Sequence, residues 1–174
     1  VPVSRDGYIN FAALETVINE RHDEIALISI MHANNEIGTI QPIQKVTALA
    51  SNFDIPVHSD AVQSLGKIAL SFKELGLFAM TISAHKVGGP IGVGALVLRK
   101  GVDITPILHG GGQERDIRSG TLNAAGIVAF AAAVQSAIRD IEANAEKVSA
   151  LRIKLINAIQ NEIHDATLNG VLEG

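Results

Sequence analysis

Apolar positions in this chain fall into two periods. Over residues 10–21, "NFAALETVINER", Phe11, Leu14, Val17 and Ile18 share one face at helical spacing, and Asn10 stands where an N-cap belongs. Residues 25–32, "IALISIMH", are a nearly unbroken apolar run, the pattern of a strand covered on both faces. A polar loop, "ANNEIGTIQP", leads to a helix over about 43–53. "IPVHSD" reads as a second strand ending at Asp60, and "AVQSLG" as a turn or short helix. "FAMTISA" is a third strand, ending near Ser83, and "GVGALVLRK" a fourth. From Asn123 to about Ile163 the pattern is helical and Ala-rich, with a break expected near Asn144.

Strands alternating with helices predict an α/β protein with a largely parallel sheet. In such sheets ligands bind beyond the carboxyl ends of the strands. The first strand runs out into Asn34 and Asn35, the second ends at Asp60 with Gln63 close behind, and the third ends at Ser83, His85 and Lys86. Polar side chains thus stand at three successive strand ends.

Composition narrows the function classes. The 174 residues are 47% hydrophobic and 18% charged, enough apolar material for a core. Net charge is −4 with no basic block, so a nucleic-acid partner has no electrostatic footprint. No apolar run approaches the roughly 18 residues of a membrane span. Cys is absent, which leaves no disulfide and no thiolate, and fits a cytoplasmic protein. Nothing at the start reads as a signal peptide. "VPVSRDGYIN" and "DATLNGVLEG" read like interior sequence, so an internal fragment of a larger protein is expected.

Lys86 carries the sharpest chemical signal. A partly desolvated lysine at a strand tip can act as a nucleophile toward carbonyls, although most lysines are simply solvated surface charges. Asp60 could hold a protonated ring nitrogen or merely cap the helix that follows. Gln63 and Asn35 could orient a ligand or stabilise their own loops. Ser83 and His85, beside a glycine-cleared turn, could hold a phosphate. His58, Asp60 and His85 raise a metal alternative, but their spacing fits no helical metal motif and Lys86 would repel a cation. "GGPIGVG" lacks the spacing of a dinucleotide fingerprint. "HGGGQERDIRSGTLN" is a second glycine-rich loop, either an ordinary long connector or, as loops this dense in donors usually are, a functional one. Taken together, a carboxylate, an amide, a Ser/His pair and a lysine at strand ends match pyridoxal phosphate.

Four stretches, "HANNEIGTIQPI", "HSDAVQSLGK", "SAHKVGGPIGVGAL" and "HGGGQERDIRSGTLN", give nearly the whole chain a specific resemblance to the cysteine desulfurases. These are pyridoxal-phosphate enzymes of the class V aminotransferase group with the type I fold. Asp60 lies 26 residues before Lys86, in keeping with that family. The resemblance implies that Lys86 is the Schiff-base lysine and proton shuttle, Asp60 the pyridinium partner, and Gln63 a residue that bonds the phenolic oxygen. Ser83 and His85 would bind the phosphate, and Asn35 would lie near the ring and the substrate carboxylate. Thr121 would reach the phosphate of a neighbouring subunit's cofactor, which implies a homodimer.

It further implies conversion of L-cysteine to L-alanine, with sulfur passed to an enzyme cysteine and on to an acceptor such as an iron–sulfur scaffold or the tRNA thiolation machinery. Residues 1–140 would be the middle of the large domain, and 141–174 a connecting helix and the start of a small C-terminal domain. Ser59, Val62 and Ile91 are small departures that remove no named role. The family's aromatic or histidine ring stack, threonine-bearing phosphate loop, persulfide cysteine and substrate-carboxylate arginine are not among these residues. Selenocysteine lyases, kynureninases and aminotransferases share the same core, and a non-enzymatic scaffold piece is the alternative of a different class.

Overall fold

The computed structural model describes residues 1–172. Four strands form one sheet in the order β1 (Ile28–Met31), β2 (Val57–Asp60), β3 (Ala79–Ser83), β4 (Gly94–Leu98). β1, β2 and β3 are parallel, with Met31 beside Asp60 and Asp60 beside Thr81. β4 returns antiparallel along β3, with Gly94 opposite Ser83. The sheet is therefore mixed, with a parallel core as the alternation of elements predicts. The antiparallel edge follows from the short connection: ten residues separate β3 from β4, too few for a crossover helix.

Helix α1 (Phe11–Arg21) starts where expected, the Asn10 Oδ1 accepting from Ala13 N at 3.0 Å. Its buried residues are Leu14 and Ile18, whereas Val17 lies at the rim. Helix α2 (Ile43–Ser51) buries Ile43, Val46, Thr47 and Ala50. Both helices pack on one face of the sheet, and with Ile28, Val57, Leu77 and Met80 they make the main core. Burying each such side chain contributes about 1.5–3 kcal/mol before entropy is set against it.

The other sheet face differs from expectation. β1 is not covered on both sides: Ser29 is exposed, and Leu27 just before the strand is 48% exposed. Instead a polar row crosses the strands. His58 binds Ser29 Oγ through Nδ1 and Thr81 Oγ1 through Nε2, both at 2.8 Å. An unbroken apolar run announces a strand but not how many layers lie over it, and here the single interruption, Ser29, is the residue that faces outward.

The long helical stretch is broken at Asp140, four residues before the expected point. α3 (Ala124–Arg139) and α4 (Ile141–Glu162) meet at a 68° bend. Arg139 donates from Nε and Nη2 to the Asp140 carboxylate, so an ion pair forms at the corner itself. This bond, with the neighbouring charge, pushes the Asp140 pKa down and that of Arg139 up. No single helix among the described residues is long and apolar enough to cross a membrane. α3 buries Gly126 and Phe130, while α4 buries nothing.

A small second cluster joins the sheet edge to α3. Leu65, Ala84 and Phe130 are its buried members, with Val87, Val93 and Val134 around them. Gly66 sits in this junction with a positive φ of 71°. A Cβ there would stand 2.7 Å from both Val87 Cγ2 and Ala137 Cβ. Gly66→Ala therefore combines a left-handed backbone penalty with a steric clash, and is expected to cost about 2–5 kcal/mol. Urea unfolding monitored by circular dichroism checks this; an unchanged midpoint would contradict the packing.

Candidate active site

Because β1, β2 and β3 are parallel, their carboxyl ends lie along one edge of the sheet. β2 delivers Asp60 there, and the chain continues into a turn tied back to β3 by Ala61 N donating to Thr81 O at 2.9 Å. Asp60 Oδ1 accepts from Val62 N at 2.9 Å. Its carboxylate has no ion-pair partner among the described residues, which leaves Oδ2 free to accept. The sequence offered capping or ring binding for this carboxylate; one oxygen closes the turn and the other stays available.

β3 delivers the next group. Ser83 Oγ and His85 Nδ1 are 2.8 Å apart and both line an open groove with Gly92 and Gly94. Glycine is required at position 94, where a Cβ would meet the Ile82 carbonyl oxygen at 2.9 Å. Lys86 ends the short 3-10 turn Ala84–Lys86 that follows β3. It is exposed, and no described carboxylate pairs with it. The buried Ala84 anchors the turn, its carbonyl accepting from Val87 N and Gly89 N.

Gln63 lies in the turn after Asp60, its Oε1 accepting from Lys67 Nζ at 2.9 Å. Asn35 is exposed in the loop after β1, its Nδ2 donating to Glu36 Oε1 at 2.8 Å. That loop is shaped by Asn34, whose Oδ1 accepts from the backbone N–H groups of Glu36 and Ile37. Asp60, Gln63, Ser83, His85 and Lys86 thus belong to the ends and following turns of two adjacent strands, and Asn35 to the loop leaving the third. Thr121 is exposed just before α3 and has no side-chain hydrogen bond among the described residues. His58 has both ring nitrogens engaged within the sheet.

Two residues at this edge were not singled out from the sequence. Lys67, a charged residue at a turn, gives no signal until its bond to Gln63 is seen. His32 follows β1, its N–H donating to Asp60 O at 2.8 Å. It is only 6% exposed, and its Nδ1 has no partner among the described residues. Burial lowers its pKa, favouring the neutral ring. The signal was present, since a histidine closing an apolar strand is a costly residue to bury.

The donor set matches the chemistry of pyridoxal phosphate: an unpaired amine, a carboxylate with a free oxygen, an amide, and a hydroxyl–imidazole pair in a groove where glycine is sterically required. The aminotransferase class-V family model matches residues 1–171. The chain belongs to that family. Its enzymes generally depend on pyridoxal phosphate. The chain is 46% identical over 170 residues to an IscS-like cysteine desulfurase of Mycobacterium tuberculosis, covering 98% of this chain and 43% of that protein. It is likewise 46% identical to the cysteine desulfurase IscS of Dictyoglomus turgidum, covering 42% of it. Among solved structures, a NifS-like protein superposes with a TM-score of 0.87 at 44% identity, over 92% of this chain and 44% of that one. The chain therefore spans less than half the length of the curated relatives it matches.

Proposed function

We propose that this chain is the cofactor-holding centre of a pyridoxal-phosphate-dependent cysteine desulfurase. The observation that carries the reading is the sheet edge where Lys86, with no ion-pair partner among the described residues, follows the Ser83–His85 pair on the strand next to Asp60. The cofactor, when bound, supplies an aldehyde for amines and a ring that takes up electrons. Lys86 Nζ would hold the aldehyde and, once free, carry a proton to and from the substrate. The free oxygen of Asp60 would accept from the ring N–H and keep that nitrogen protonated. Ser83 and His85 would hold the phosphate, Gln63 the phenolic oxygen, and Asn35 the substrate side of the ring.

L-cysteine is the substrate in this reading, L-alanine the product, and a cysteine outside these residues the first sulfur acceptor. A solved relative, SspA in complex with cysteine, superposes with a TM-score of 0.72 at 37% identity and supports that substrate. An iron–sulfur scaffold protein or the tRNA thiolation machinery receives the sulfur next. Thr121 reaches the phosphate of a partner subunit's cofactor in a cytoplasmic homodimer. Residues 1–140 belong to the large domain, and 141–174 open a smaller one.

The test is a product assay on the full-length protein with L-cysteine, L-selenocysteine and L-kynurenine in parallel. Alanine from cysteine, at a kcat/KM well above that for the other two, is expected. Preferential turnover of selenocysteine or kynurenine would replace the desulfurase reading with its sister activities.

A further inference from the structure

The turn between β2 and β3 is held against the turn that carries Lys86. Leu65 packs on Ala84 in the second cluster, and Gly66 lets the backbone lie against Val87, the residue after Lys86. Ser64 N and Leu65 N both donate to Ala61 O, and Lys67 N donates to Ser64 O, which winds the segment into helical turns. Gln63 and Lys67 then lie four residues apart on one side, where side chains meet. Their contact is the 2.9 Å bond from Lys67 Nζ to Gln63 Oε1.

That bond has a direction that chemistry fixes. An ammonium only donates, so it must face the oxygen of the amide and never its NH2. With Oε1 occupied, Gln63 Nε2 is turned the other way, and it has no partner among the described residues. Without Lys67 the two ends of the amide have no such discrimination, and the side chain is free to present oxygen or nitrogen.

The same lysine is near Lys86. Partial desolvation of the amine pushes the Lys67 pKa down, and the like charge of Lys86 pushes it further in the same direction. Gln63 Nε2 is therefore left as a donor beside the turn that carries Lys86, suited to an anionic oxygen.

We propose that Lys67 is a positioning residue that locks Gln63 with its NH2 outward, so that Gln63 selects an anionic ring oxygen of the ligand. This rests on the proposed function for the identity of that ligand. The orientation of Gln63 is a property of the protein alone.

The experiment uses the full-length protein with glutamine-selective 15N labelling, in three forms: wild type, Lys67→Met and Lys67→Arg. Two readouts are taken. The first is the Gln63 side-chain NH2 resonance pair before any cofactor is added, identified by its loss in Gln63→Met. Lys67→Met is expected to shift this pair and raise its exchange with water, and Lys67→Arg to restore it, since arginine also donates only. The second is titration with pyridoxal phosphate followed by borohydride trapping on Lys86. Lys67→Met is expected to weaken binding about ten- to hundredfold, the range of one hydrogen bond to a charged group, and Lys67→Arg to recover most of it.

Lys67 is exposed, so both variants should keep the fold, and unchanged circular dichroism confirms it. An unmoved Gln63 resonance in Lys67→Met overturns the proposal whether or not cofactor binds. A moved resonance with unchanged affinity overturns the selection of the ring oxygen. A wild type that cannot be labelled on Lys86 refutes the cofactor reading, and with it the ring-oxygen selection, while the resonance still decides the lock.

Discussion

Lys86→Ala in the full-length protein should abolish borohydride-stable attachment of pyridoxal phosphate and lower desulfurase turnover by on the order of a thousandfold or more. In the proposed reading two roles would disappear with one amine: the group that holds the aldehyde, and the base that moves the proton afterwards. Lys86→Arg should not rescue, because a guanidinium keeps the charge but cannot lose its proton to become a nucleophile. The comparison also removes the structural objection. Lys86 is exposed and pairs with no carboxylate among the described residues, so neither substitution should shift the unfolding midpoint appreciably. Asp60→Ala should act differently. In the proposed reading it would leave attachment possible and weaken catalysis by removing the charge that would hold the ring nitrogen protonated. Mass spectrometry of the peptide containing Lys86, together with an alanine assay, checks both. Undiminished turnover by Lys86→Ala would sink its assignment.

Much of this edge was legible because strand ends are punctuated in the sequence. "HSD" and "ISAHK" each switch from apolar to polar within two residues, and the structure ends β2 at Asp60 and β3 at Ser83. Order along the chain then gave the shared edge, since parallel strands put like ends together. Three kinds of feature were illegible. Layering was one: "IALISIMH" reads as doubly covered, yet Ser29 points out to His58. Interruption of helices was another. Asn144 is a poorer helix former than its neighbours and attracted the break, but the chain turns at Asp140, where Arg139 can pair with the carboxylate at the corner. Propensity is a weak prior beside such a contact. The third was side-chain pairing four residues apart in a turn, as with Gln63 and Lys67, which looks like surface polarity until the turn is seen to be helical.

The sheet face bearing Ser29, His58 and Thr81 has a direct consequence for the 174 residues taken alone. Parallel sheets are usually covered on both faces, and this one is packed by α1 and α2 on one face only. Leu27 and Leu96 are about half exposed, at 48% and 49%. On α4, Val148, Leu151 and Leu155 are exposed by more than half and recur at helical spacing. An isolated chain with the exposed apolar stripe of α4 and the half-exposed Leu27 and Leu96 is expected to self-associate and to bind a hydrophobic dye.

The second large effect follows from composition and from the same incompleteness. The 174-residue chain by itself should show no desulfurase turnover. Sulfur transfer needs a thiolate as nucleophile, and the sequence has no Cys. Cofactor affinity should be weak as well, for a separate reason. In the proposed reading Ser83 and His85 would offer two phosphate contacts, and the threonine-bearing phosphate loop and ring stack that the resemblance implies are not among these residues. Each hydrogen bond to a charged group contributes about 1.5–3 kcal/mol, so two or three fewer weaken binding by roughly two to six orders of magnitude. Lys86 could still be labelled slowly at high cofactor concentration, since its amine needs no partner to add to an aldehyde. The measurement is alanine and sulfide release from purified chain, pyridoxal phosphate and L-cysteine, without added thiols that might accept the sulfur. Neither product above the rate of free cofactor is the expected result. Catalytic release of both would mean that sulfur leaves by a route needing no enzyme cysteine, and would overturn the assignment of the first acceptor.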